Sequence, residues 1–249
     1  MVHSETLIQE VQRYSEMEMP IDLDTVLSKG SYKSALKAVG AGLVAVDGVR
    51  EGKFERAFCT VRPPGHHATP TRAMGFCLFN NIAITAKYAQ KLGYQRVMII
   101  DFDVHHGNGT QDTFYSDGSV LYFSTHQSFA FPHTGSWQER GDGEGKGYTL
   151  NFPLMPESGD DEILHHYHND LQDAYEFFQP DIILVSAGYD LHESDPLATL
   201  NVTTNGIREI VRSILKLGDK PTIFMLEGGY SLYDLGFNVL ATVEEMLEL

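Results

Sequence analysis

Six short and almost uninterrupted apolar runs constrain this chain most. They are residues 56–61 (RAFCTV), 96–103 (RVMIIDFD), 120–125 (VLYFST), 148–153 (YTLNFP), 181–188 (DIILVSAG) and 222–229 (TIFMLEGG). A strand with one wet face shows polar residues at every second position, so runs without that alternation read as strands covered on both faces. Stretches 31–50, 78–92, 160–178, 205–217 and 231–248 carry helical spacing instead. Strand and helix in alternation predict an α/β fold, a central and mostly parallel sheet flanked by helices on both faces. At 249 residues, with no linker or internal repeat, the chain suits one domain spanning residues 1–249.

Several partner classes are set aside by charge and hydropathy. With 18 Lys and Arg against 34 Asp and Glu, the net charge of −16 has the wrong sign to grip a phosphate backbone, so no nucleic-acid partner is expected. Runs such as VMII and IILV fall far short of the ~20 apolar residues that cross a bilayer, so no membrane partner is expected either. Two cysteines, Cys59 and Cys77, are too few for a disulfide framework, which suits a reducing, cytoplasmic setting. One polar, glycine-rich passage, Ser128 to Gly147, has the length of a functional or mobile loop. Its GDGEGKG lacks a Ser or Thr after the lysine and opens no clear helix, so it is not read as a phosphate loop. Trp137 within it suits a substrate lid or a subunit contact, which leaves homo-oligomerisation open.

The unusual polar residues gather where such a sheet binds ligands, beyond the carboxyl ends of its strands. His66 and His67 follow the first run, in RPPGHHA; Asp101, Asp103, His105, His106 and Asn108 close the second; Asp190 and Asp195 follow the fifth; Gly228, Gly229 and Tyr230 follow the sixth. Asp103 and His105 are two apart, which puts a carboxylate and an imidazole on one face of an extended strand end. With Asp195, in ESDPLA, as a third ligand, two carboxylates and one imidazole leave a coordination position free, as in a catalytic zinc site. Because the carboxylates cancel the ion's formal charge, its water is acidified less strongly than under three neutral imidazoles and needs a base. The tandem histidines supply one if second partners fix them, and Asp101 and Asn108 are available. A carboxylate neighbour favours the charged form of its histidine, whereas an amide leaves the other nearer neutral, so that one polarises and the other moves protons. Tyr230, on a Gly-Gly turn, is placed to donate its phenol to a developing oxyanion. His165, His166 and His168 (HHYHND) have metal-like composition but sit in a helical stretch without a second ligand source, and read as an exposed face.

With RPPGHHA, GFCLFNN, DFDVHHGNGT, SAGYD…SDPL and LEGGY in this order, the sequence closely resembles the histone deacetylase superfamily of zinc amidohydrolases, from about residue 2 to its end. The resemblance implies one catalytic zinc on Asp103, His105 and Asp195, with His67 as general base and then acid, His66 as its electrostatic partner, and Tyr230 polarising the acyl carbonyl. It implies that Gly75, Phe76 and Phe131 line a narrow tunnel, that Asp24 is a rim residue for substrate backbone, and that Val202 stands at the tunnel wall. A structural potassium is implied at Asp101, Asp103, His105 and Ser124, with main-chain oxygens, and a second monovalent site at Phe114, Asp117, Val120 and Tyr148. Asn108 and LEGGY match the class II branch. The family's first strand and one active-site loop are expected to lie outside this chain, whose VHS segment falls well inside the domain of relatives. The implied activity is hydrolysis of N-acyl-lysine amides on a peptide or protein, inhibited by hydroxamates. An acetylated polyamine or other small acetylated amine is the second candidate substrate, and a non-catalytic zinc or acyl-lysine binding protein is the alternative of another class. An apolar Val202 offers no anchor for the distal amine of a polyamine, which favours acyl-lysine.

Overall fold

The computed structural model describes residues 2–249. Its centre is one sheet of β1 (Arg56–Cys59), β2 (Val97–Asp101), β3 (Val120–Gln127), β4 (Thr149–Leu154), β5 (Ile182–Ala187) and β6 (Thr222–Leu226). The order is β1-β6-β5-β2-β3-β4 and every pairing is parallel, more uniformly than the sequence required. The apolar runs have a direct cause. Met98, Ile100, Ile183, Val185 and Phe224 pack into one core, while Val97, Ile99, Ile182, Leu184 and Ile223 pack into another on the opposite face. Alternate residues of each central strand therefore feed two cores, and the strand interiors have no wet face to offer a polar side chain.

Helices α2 (Ser31–Arg50), α3 (Asn81–Lys91) and α4 (Asn108–Phe114) contribute to the second face, and α5 (Asp160–His165), α6 (Leu171–Phe178) and α7 (Thr204–Leu215) to the first. The helix expected over 160–178 is interrupted by a π turn at His166–Asp170. There, His166 pairs with Asp170 at 2.8 Å while His165 and His168 face outward. Helix α8 (Leu235–Glu248) closes the chain against α7, tied by Arg208 and Arg212 to Glu245. Two helices have no counterpart in the sequence-based expectation. Helix α1 (Glu5–Met17) buries only Leu7, Val11 and Ser15, a stripe too narrow to stand out, and starts on a Ser4 cap that accepts from Leu7 N–H. Helix α4 hides inside the polar motif that follows β2.

Candidate active site

The strand order places the site. From β2 the chain winds outward through β3 and β4, then returns to lay down β5 and β6 on β2's other side, so winding reverses between β2 and β5. A crevice opens at such a reversal, beyond the carboxyl ends of the two strands. Asp101 and Ser186 are paired there in register. The loops after β2 and β5 deliver the densest polar cluster, and those after β1 and β6 close over it.

Ligand atoms of Asp103, His105 and Asp190 lie within 4.8 Å of one another. His105 Nδ1 stands 3.2 Å from Asp103 Oδ1 and 3.1 Å from Asp190 Oδ2. Asp195, expected as the third ligand, is not in this group, and its carboxylate is committed elsewhere. Its Oδ2 accepts from the backbone N–H of Tyr230 at 2.7 Å and Ser231 at 3.3 Å, and its Oδ1 from Leu197 N–H at 2.9 Å. The route by which Asp103 and His105 meet also differs from expectation. Strand β2 stops at Asp101, so strand alternation does not join them; a turn does, in which Asp103 Oδ1 accepts from His105 N–H at 2.8 Å. The glycines of LEGGY are needed for close approach, since a Cβ on Gly228 would overlap the carboxylates of Asp190 and Asp103. Gly228 N–H instead donates to Asp103 Oδ2 at 2.8 Å, and Val104 N–H to Asp190 Oδ1 at 3.0 Å. Two oriented carboxylates around one imidazole nitrogen, with an open side, fit a divalent metal of the zinc type.

Burial and the charge of Asp103 push Asp190 up to about 6. Burial would lower His105, but its hydrogen bonds to Asp103 and Asp190 outweigh it and push the imidazole up to about 11. Without a metal, the proton on His105 is thus the cluster's counter-charge.

His66 and His67 ride the turn after β1, their rings 4.0 Å apart. His66 Nδ1 lies 3.1 Å from Asp101 Oδ2, and His67 Nδ1 lies 2.9 Å from Asn108 Oδ1. Burial opposes a charge on His66, yet the carboxylates of Asp103, Asp101 and Glu227 prevail and push it up to about 10. Burial and the neighbouring His66 charge hold His67 well below the ordinary histidine range. The surroundings of the pair thus favour charge on His66 and oppose it on His67.

Sequence reasoning missed what clamps this turn. Glu227 Oε2 accepts from Gly65 N–H at 2.6 Å and His66 N–H at 3.2 Å, while its Oε1 accepts from Ser186 Oγ at 3.0 Å. Asn81 Nδ2 donates to Pro63 O at 3.0 Å and Asn80 Nδ2 to Ala68 O at 3.1 Å. The signal was present, a Glu inside an apolar strand end and an Asn-Asn pair before a helix, but neither residue type announces a scaffold role.

A cavity of about 230 Å³ is lined by Asp24, His67, Gly75, Phe76, His105, Phe131, Leu197 and Tyr230. The Phe131 ring stands edge-on to His67 at 5.0 Å, and Phe76 to Tyr230 at 5.8 Å. Tyr230 is held far above its ordinary value by burial and by the charges of Asp190 and Asp103, so it remains a phenol and a donor. Val202 is not on this wall. It is fully buried in the core on α7's side of the sheet, and the aliphatic residue at the cavity, beside Phe76 and Phe131, is Leu197, which is half exposed. Asp24 is exposed and lines the cavity.

Asp101 and Ser124 are register partners on β2 and β3. Phe114, Asp117, Val120 and Tyr148 are linked around the start of β3, where Asp117 N–H donates to Phe114 O at 3.0 Å and Tyr148 O accepts from Tyr122 N–H at 2.8 Å. Beside them the Lys87 ammonium lies 2.6 Å from Asp117 Oδ2. Among the described residues, no helix is long and apolar enough to cross a membrane.

A family model described as the histone deacetylase domain matches residues 1–246. A protein named as a probable deacetylase from Archaeoglobus fulgidus is 40% identical over 235 residues, covering 93% of this chain and 66% of its own length. The solved structure of the HDA15 HD domain superposes with a TM-score of 0.96 at 34% identity, over 99% of this chain and 73% of that one. An acetylpolyamine aminohydrolase structure from Burkholderia pseudomallei superposes with a TM-score of 0.89 at 30% identity, over 98% of this chain and 80% of that one. The chain spans between about a fifth and two thirds of the length of the curated relatives it matches.

Proposed function

The chain belongs to the histone deacetylase family, and from that premise we propose that it hydrolyses the amide of an acetylated lysine side chain, using a zinc ion held by Asp103, His105 and Asp190. The observation that carries this is a neutral imidazole and an un-ionised phenol, His67 and Tyr230, lining one cavity that reaches His105. The chemistry such an ion supplies is Lewis-acid polarisation of the acyl oxygen and acidification of water. His67, neutral and held by Asn108, takes the proton of the attacking water and returns it to the leaving amine. His66, charged and held by Asp101, stabilises the negative charge that develops beside it. Tyr230 donates its phenolic hydrogen to the acyl oxygen as the tetrahedral carbon forms. Gly75, Phe76, Phe131 and Leu197 give the acyl-lysine chain an apolar sleeve, and Asp24 accepts from substrate backbone at its mouth.

The test combines zinc content by elemental analysis with hydrolysis of fluorogenic acyl-lysine substrates, with and without a hydroxamate. One zinc per chain and hydroxamate-sensitive turnover are expected. Zinc and hydroxamate binding without hydrolysis would refute it in favour of a binding protein.

A second substrate has specific support. The Asp24 carboxylate at the cavity is a ready partner for the distal ammonium of an acetylated polyamine, and Val202, sealed in the core, does not oppose it. Leu197, apolar and half exposed at the same cavity, keeps acyl-lysine first. Matched acetyl-lysine peptide and acetylpolyamine substrates decide between them. Potassium at Asp101, Asp103, His105 and Ser124, and at Phe114, Asp117, Val120 and Tyr148, is proposed as structural. Exchanging potassium for a large organic cation should then lower Tm, and an unchanged Tm counts against both sites.

A further inference from the structure

We propose that Asp195 is a positioning residue for Tyr230, a role that rests on Tyr230 being the oxyanion donor. Asp195 is buried at 7% exposure on the loop after β5, and Tyr230 lies on the loop after β6. Among the described residues, the last backbone bond between these loops runs from Tyr189 N–H to Gly228 O at 3.0 Å. Beyond it the Asp195 carboxylate joins them. Oδ2 takes two consecutive N–H groups, Tyr230 at 2.7 Å and Ser231 at 3.3 Å, and Oδ1 takes Leu197 N–H at 2.9 Å. One side chain thereby sets the backbone of the catalytic phenol and of the apolar residue Leu197 on the same cavity.

A second tie between the two loops lies farther along. Asp234 Oδ2 accepts from Ser231 Oγ at 2.9 Å and from Ser194 Oγ, on the loop after β5, at 2.6 Å, and neither bond reaches the Tyr230 backbone itself. Gly229, immediately before Tyr230, has a φ of +132°, a conformation open to glycine. The Tyr230 hydroxyl itself has no hydrogen-bond partner among the described residues, and the residue is bonded through its backbone N–H. Its hydrogen-bonded hold on the fold is therefore its backbone N–H, which Asp195 takes, while its ring has only the edge-on contact of Phe76 at 5.8 Å. A donor displaced by about 1 Å from a reacting atom costs about 100-fold in rate.

The experiment is a double-mutant cycle of Asp195→Ala and Tyr230→Phe, read by kcat and KM on an acetyl-lysine substrate, with zinc content measured for each variant. Asp195→Ala should keep one zinc per chain and lose about 10- to 100-fold in kcat with a smaller rise in KM. In the Tyr230→Phe background the same substitution should cost less than about threefold, because the group it positions is already gone. Loss of zinc would make Asp195 a ligand, and an equal loss in both backgrounds would make its role general; either overturns the proposal. If Asp195→Ala does not fold, Asp195→Asn replaces it in the cycle, since an amide retains one accepting oxygen and cannot accept from both sets of N–H groups. If Tyr230→Phe itself turns over normally, the role assigned to Tyr230 fails on its own. Asp195 is then judged by hydrogen exchange at the Tyr230 and Ser231 amides, which must quicken in the Asp195 variant; unchanged protection overturns its hold on the loop.

Discussion

The substitution Glu227→Gln should make the protein less sensitive to alkaline pH. Glu227 is 1% exposed and uses both oxygens as acceptors, from Gly65 N–H, His66 N–H and Ser186 Oγ. Burial raises its pKa from the ordinary carboxylate value to about 7, only partly offset by the charge of His66. The folded protein therefore binds more protons than the unfolded chain between roughly pH 4.5 and pH 7, and stability falls as pH rises through that window. Taking 4.5 and about 7 as the two values, the loss between about pH 5 and pH 8 is about 2 to 3 kcal/mol. The amide of the variant keeps one oxygen for the two N–H groups and turns its NH2 toward Ser186, whose hydroxyl then accepts. It has nothing to titrate. Urea unfolding with chelator present, at about pH 5 and pH 8, should give similar stabilities at the lower pH and an advantage of about 2 kcal/mol for Glu227→Gln at the higher. Parallel stability curves for the two proteins would show that Glu227 is ionised throughout and sink the reasoning.

Tyr230→Phe should reduce turnover by about 100- to 1000-fold, the usual loss of one oxyanion donor, while Tm stays within a few degrees because the hydroxyl has no partner among the described residues; thermal melts beside initial rates check both. Asp190→Ala should abolish stoichiometric zinc binding in elemental analysis, and a variant retaining a full zinc complement would return Asp190 to a merely structural role. Gly228→Ala should weaken metal binding by at least about tenfold, since its methyl group would overlap the carboxylates of Asp190 and Asp103, and competition with a chromophoric chelator measures it.

The layering of the fold was legible because burial on both faces removes polar residues from a strand at every position, as in VMIID and IILVSA, where a polar residue appears only at the carboxyl end. Helix α1 was not, because it buries only two apolar side chains fully, Leu7 and Val11, and the rest of its face is half-buried or polar. In the site, the convergence of four strand ends could be inferred from where Asp, His and Tyr interrupt the apolar runs. Two residues lie elsewhere than expected for one reason. Asp190 and Asp195 are five residues apart on one loop, both acidic and both beyond β5, and nothing local says which carboxylate points at His105. Val202 and Leu197 are likewise five apart, one sealed in the core and one at the cavity.

The sequence by itself determined the alternation of strand and helix, the edge of the sheet at which chemistry gathers, and the stock of residues available there, because periodicity and strand termini are local properties. Only the tertiary structure decided which carboxylate faces His105, which of the two histidines stands among carboxylates, and that Glu227 and Asp195 hold the two loops bearing His66, His67 and Tyr230. Those outcomes depend on competition among backbone N–H donors and buried charges from distant segments. Asp195 is claimed by Tyr230, Ser231 and Leu197, whereas one oxygen of Asp190 faces His105.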